Sequence, residues 1–181
     1  MAAGQISGAD IAHAALQHKG VRYVWGGFMP SGWDCSGFVN YVLGHTFGFK
    51  LPGGFVWSGR GHGPTAAMYK VWSKASNTST PEAGTLCVWL THIGIAINSH
   101  QMISALDPAM GTAITEIANS GPPGEKLTLR DINTVALSGA GPLPQPGAGC
   151  TVGLIALPYY ITKGVLLRAR SARTSRTDPG D

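Results

Sequence analysis

Charge is scarce in this chain. Of 181 residues, 13 are Lys or Arg and 9 are Asp or Glu, so only 12% carry a formal charge. With 44% hydrophobic residues, that excludes a solvated, disordered polymer and leaves enough apolar material for one domain with its own core. The formal excess of +4 is unevenly placed. Residues 1–150 hold eight basic and seven acidic side chains, whereas 151–181 hold five and two. The basic excess therefore sits in a stretch containing Arg168, Arg170, Arg173 and Arg176. A solvated, frayed terminus or a contact to an anionic surface both suit such a stretch. No nucleic-acid module accompanies it, so nucleic acid is not an expected partner.

Cysteine is scarce too. Cys35, Cys87 and Cys150 form an odd set without a CxxC pair, which argues against a thiolate zinc site. No HExxH is present, and neither Gly26-Gly27 nor Gly53-Gly54 leads into the Lys-Ser/Thr of a phosphate loop. No metal and no cofactor are expected. The segment Met1–Asp10 lacks the basic start and apolar centre of a secretory signal. Val152–Leu167 is apolar but short for a bilayer span and interrupted by Pro158 and Lys163, so stable membrane insertion is not expected. No period of 20–50 residues repeats.

What the chain does have is glycine, 26 residues of it, punctuating short patterned segments. Ser7-Gly-Ala-Asp10 reads as a capping pattern for a helix running to about His18. Val21–Trp25 reads as extended, followed by a loop over Phe28–Trp33. Asp34-Cys35-Ser36 opens a second helix, with Asp34 as a candidate N-cap and Phe38, Val39, Val42 and Leu43 on its apolar face. Residues 48–65 read as a long irregular loop, 65–72 as a short helix and 77–84 as a polar turn. Strands are expected over 85–89, 91–97, 101–105, 114–117 and 126–132. Helices first and an antiparallel sheet afterwards make an α+β fold. Residues 1–138 read as the catalytic domain, 139–149 (GAGPLPQPGAG) as a linker and 150–181 as an appendage with a basic tail.

The chemistry-bearing candidates are Cys35 and His92. A cysteine attacks as its thiolate, which a helix N-terminus and a neighbouring imidazole both favour. Cys35 stands at a predicted helix start. His92 enters a strand in which His92, Gly94 and Ala96 share one face and three isoleucines the other. Taken alone, each also suits a plainer role, since buried cysteines are mostly inert and strand histidines mostly structural. Cys87, in an apolar strand, reads as core, as does Trp25. His13, His18, His45 and His62 show no partner pattern.

Three local words add to the pair: Tyr23-Val-Trp-Gly-Gly27, Asp34-Cys-Ser-Gly-Phe-Val39 and His92-Ile-Gly-Ile95. In this order and spacing, over roughly residues 7–135, the chain resembles the NlpC/P60 family of papain-like cysteine peptidases. The resemblance implies a fold in which helices carrying the cysteine pack on an antiparallel sheet carrying the histidine. It implies hydrolysis of peptide bonds in peptidoglycan stem peptides, with Cys35 as nucleophile and His92 as base. Tyr23, Asp34 and Ser36 match positions that shape the family's substrate site.

Family members usually place a third polar residue, often histidine, behind the base. If the hairpin turn centres on Asn98, Ser104 lies across from His92 and is the expected orienter. Asp107 is a second candidate, and His100 lies nearer the turn tip. The mechanism expected is a Cys–His thioester pathway, and a narrow groove with a cationic or N–H-rich floor would suit a partly anionic stem peptide. The setting expected is bacteriophage delivery, as a lysin or a virion tail hydrolase acting at the bacterial cell wall. Residues 150–181 would then dock on other tail proteins. The competing expectations are a catalytically silent structural or wall-binding module and acyl transfer to an acceptor other than water.

Overall fold

The computed structural model describes residues 6–132; the expected linker at 139–149 and appendage at 150–181 lie outside the described residues. The first helix, α1 (Gly8–Leu16), begins at a reciprocal cap in which the Ser7 hydroxyl accepts from the Asp10 amide and the Asp10 carboxylate accepts from the Ser7 amide. Ile11, Ala12 and Ala15 form its buried face. It ends two residues short of His18.

The segment expected to be a strand after α1 pairs only through a single bridge between Tyr23 and Trp33. The expected loop that follows is instead a small hairpin of β1 (Phe28–Met29) and β2 (Gly32–Trp33). Trp33 is fully buried and donates its indole N–H to Thr112 across the domain at 2.8 Å. The second helix, α2 (Cys35–Asn40), runs into a wider π-helical turn over Tyr41–Thr46. All six residues of α2 are buried, and the helix lies against the sheet.

That sheet has six antiparallel strands: β3 (Ser76–Thr78), β4 (Leu86–Val88), β5 (Ile93–Ala96), β6 (Gln101–Ala105), β7 (Thr112–Glu116) and β8 (Thr128–Asp131). Their spatial order is β3-β8-β4-β5-β6-β7. The outermost strand β3 falls in what reads as a polar turn, because Ser76-Asn77-Thr78 carries no apolar alternation; pairing with β8 places it. One sheet face (Leu86, Val88, Ile93, Ile95, Ile103, Ala105) packs on the helices. The other gathers Cys87, Trp89, Ala96, Met102 and Ile117 into a second cluster. A short α3 (Ala66–Lys70) and a buried arginine close the far end: Arg130 donates to Asn77 and to the carbonyls of Trp72 and Ala75.

The glycines of the two local words meet. A Cβ on Gly37 would lie against the Gly27 carbonyl oxygen and 3.0 Å from Phe28 Cα, both backbone atoms that cannot rotate away. The same Gly27 carbonyl accepts from the Asp34 amide at 3.1 Å. We expect Gly37→Ala to cost about 1–3 kcal/mol of unfolding free energy through overpacking, measured by urea denaturation; an unchanged midpoint would contradict this contact.

Candidate active site

The nucleophile candidate is placed by its neighbour. Asp34 caps α2, its Oδ1 accepting from the Gly37 amide at 2.8 Å and from the Ser36 hydroxyl at 3.1 Å. Its Oδ2 accepts from the Gly26 amide at 3.0 Å. The fourth donor is His62, whose Nε2 lies 2.9 and 3.0 Å from the two carboxylate oxygens. The other ring nitrogen, Nδ1, is 3.2 Å from the Gly63 carbonyl. Two acceptors facing two nitrogens is the pattern of a protonated imidazolium donating at both ends. Burial pushes the Asp34 carboxyl up, but the hydrogen bonds from His62 and Gly37 outweigh it and hold it below the usual carboxylate range. His62 is raised by the same hydrogen bond.

Cys35 is the first residue of α2 and opens onto a cleft of about 370 Å³. Tyr23, Asp34, Ser36 and His62 share that cleft, with Trp25 and Leu90 at its apolar mouth. The cleft lining contains no Lys or Arg, so its floor is not the cationic one expected from sequence. Burial pushes the Cys35 thiol up to about 11, the Asp34 charge adding to the effect. This corrects the expectation of a favoured thiolate: the helix start is present, but desolvation and an adjacent carboxylate oppose it. Tyr23 is likewise pushed up to about 12, first by burial, and stays a neutral phenol.

Residues flanking His92 touch the sulfur. The Cys35 thiol donates to the Thr91 carbonyl at 3.9 Å, and the Ile93 amide hydrogen-bonds back to the sulfur. The His92 imidazole itself does not line the cleft; it tilts against Trp89 at 5.9 Å, and its buried Nε2 has no hydrogen-bond partner. Burial lowers its pKa, opposed by the Glu125 carboxylate. A neutral thiol beside a neutral imidazole is a general-base arrangement, not an ion pair. Glu125 also grips the turn before His92, accepting from the Thr91 amide at 2.9 Å and hydroxyl at 2.5 Å.

A profile of the NlpC/P60 family matches residues 20–127. The chain belongs to the NlpC/P60 family. Protein P54 of Enterococcus faecium is 32% identical over 119 residues, covering 63% of this chain and 21% of that protein. The probable endopeptidase p60 of Listeria seeligeri is 34% identical over 98 residues, 51% of this chain and 16% of the relative. The matches thus span about a fifth or less of these curated relatives. Among solved structures, the NlpC/p60 domain of the peptidoglycan hydrolase SagA aligns with a TM-score of 0.52 and 28% identity, over 68% of this chain and 98% of that domain. NlpC1 from Trichomonas vaginalis aligns with a TM-score of 0.55 over 72% of this chain and 45% of that one; at 14% identity it shows a shared fold.

Within this NlpC/P60 domain the expected orienter needs correcting. The β5–β6 register pairs Ile95 with Ile103 and Ala96 with Met102, so the turn centres one residue later and Ser104 falls opposite Gly94 rather than His92. Its buried hydroxyl donates to the Ile93 carbonyl at 2.7 Å. Asp107 instead caps its own turn, accepting from Ala109 and Met110. Two cleft residues escaped the sequence reading. Trp25, taken as core, is 85% exposed. His62 lies 28 residues beyond Asp34 across a glycine-rich loop, and its only local signal is the Gly-His-Gly setting. Among the described residues no His/Cys/Asp/Glu cluster suited to a metal is present, and no helix is long and apolar enough to cross a membrane.

Two outcomes follow for the NlpC/P60 site. Ser104→Ala should cost about 1 kcal/mol in denaturant melts while changing Cys35 alkylation little; a collapse of reactivity at full stability would restore the serine as orienter. Because the thiol titrates high, alkylation of Cys35 by iodoacetamide, read on its own peptide, should keep climbing through about pH 9. A plateau near neutrality would instead reveal a thiolate–imidazolium pair.

Proposed function

We propose that this NlpC/P60 domain is a cysteine peptidase that hydrolyses peptide bonds in bacterial peptidoglycan stem peptides. The observation that carries the reading is the Cys35 sulfur, at the start of α2 and in a cleft, touched by the residues on either side of His92. The printed names of the relatives, an endopeptidase and a peptidoglycan hydrolase, support the substrate class.

Chemically, Cys35 attacks the amide carbonyl as His92 takes its proton. Collapse of the tetrahedral intermediate expels the amine, which leaves with that proton, and the acyl group stays on sulfur as a thioester. His92 then draws a proton from water, hydroxide adds to the thioester carbonyl, and the carboxylate departs as the thiol is restored. The imidazole must turn from Trp89 toward the sulfur for this; catalytic hydrogen bonds are often long without substrate and tighten on binding. Tyr23, Asp34 and Ser36 line the cleft and give it shape. The setting proposed is phage delivery to the cell wall, as a lysin or tail hydrolase, with residues 150–181 docking on tail proteins. Its support is compositional: the apolar Val152–Leu167 followed by an arginine-bearing tail.

One observation favours a second reading, a catalytically silent wall-binding module: the thiol donates to a carbonyl rather than to the imidazole. Incubation with purified stem peptides separates the two. The peptidase reading expects new amine and carboxyl termini with the native chain, none with Cys35→Ala, and a loss of about 100-fold or more with His92→Gln. No cleavage by the native chain, or equal cleavage by Cys35→Ala, would leave the silent module standing.

A further inference from the structure

Asp34 is the only carboxylate among the residues lining the cleft, and none of them is Lys or Arg. Whatever charge the floor carries beside Cys35 is therefore decided by this carboxylate and its partner. The partner is His62, bound to both carboxylate oxygens and itself part of the cleft wall. It is a built contact. Asn40 on α2 donates to the His62 carbonyl at 2.7 Å and to the Pro64 carbonyl at 2.9 Å, and Tyr69 from α3 donates to Asn40 at 2.8 Å. Phe28 stands edge-on to the imidazole at 6.4 Å.

We propose that His62 is a specificity-determining residue whose ion pair with Asp34 keeps the cleft floor neutral, admitting peptides that carry carboxylates. When the imidazole loses its proton the floor becomes a lone anion, and peptides carrying amines are favoured instead. The sign follows from the pair. His62 is raised by Asp34, so the neutral floor holds below that raised value and is lost as pH rises through it. The other groups facing this site do not supply the switch. Tyr23, with Asp107 acting on it from the β6–β7 turn, and the Cys35 thiol are both pushed up and neutral. Across the thiol, His92 is lowered by burial and Glu125 is lowered by Thr91, so neither changes charge as His62 does.

The substrate consequence rests on the peptidase reading, but the charge itself can be measured without turnover. Cys35 in the full chain is treated with two methanethiosulfonates, one bearing a trimethylammonium group and one a sulfonate. In each the thiolate attacks the sulfenyl sulfur, forms a mixed disulfide and releases methanesulfinate. The ratio of the cationic to the anionic rate, read on the peptide containing Cys35, cancels the thiolate fraction. The native ratio should rise about fivefold or more between about pH 6 and pH 9. In His62→Gln, which keeps a hydrogen-bond donor without the charge, the ratio should be high and flat throughout. A flat native profile, or a His62→Gln ratio equal to the native one at the low-pH end, overturns the proposal and leaves the hydrolase reading untouched.

Discussion

The site depends on one carboxylate. Asp34 accepts from Gly26, Ser36, Gly37 and His62, which belong to the loop before the hairpin, the first turn of α2 and the loop before α3. None of these segments has enough regular structure to place itself, and a half-buried carboxylate is costly unless its lone pairs are filled. Satisfying it brings three parts of the chain to one point, next to the sulfur. The two glycines, Gly27 and Gly37, make that meeting sterically feasible, since their backbones pack without side chains between them.

The same carboxylate sets the chemistry of its neighbour. An anion beside a buried thiol opposes thiolate formation, so this cysteine depends on a base at the moment of attack rather than on a resting ion pair. His92 suits that task by being neutral, buried and unpartnered at Nε2. Ser104 does not hold the ring, and the nearest arranged anion, Glu125, works through Thr91 and through its field. The departure from the family at Ser104 is thus accompanied by a different route to steadying the turn that presents the histidine.

Most of the frame was legible from local chemistry. The cap at Ser7–Asp10, the helix start at Asp34 and the strands around Cys87, Ile95 and Ile103 follow from side-chain pattern and turn residues acting over a few positions. The failures share a cause, dependence on distant partners. Strand β3 exists because β8 pairs with it, and the hairpin register turned on one residue of loop geometry that moved Ser104 from His92 to Gly94. Trp25 reads as core by composition, yet Gly26 turns the chain at a positive φ of 72° and leaves the indole at the cleft mouth. His62 could not be read at all, since its partner lies across an irregular loop.

The most direct measurement is acid-quenched mass spectrometry of the chain during reaction with stem peptides. The account predicts a transient thioester, the acyl half of the peptide, on the fragment containing Cys35. Cleavage that proceeds while Cys35 stays unmodified over the whole time course, with the acyl group carried elsewhere or nowhere, would contradict it.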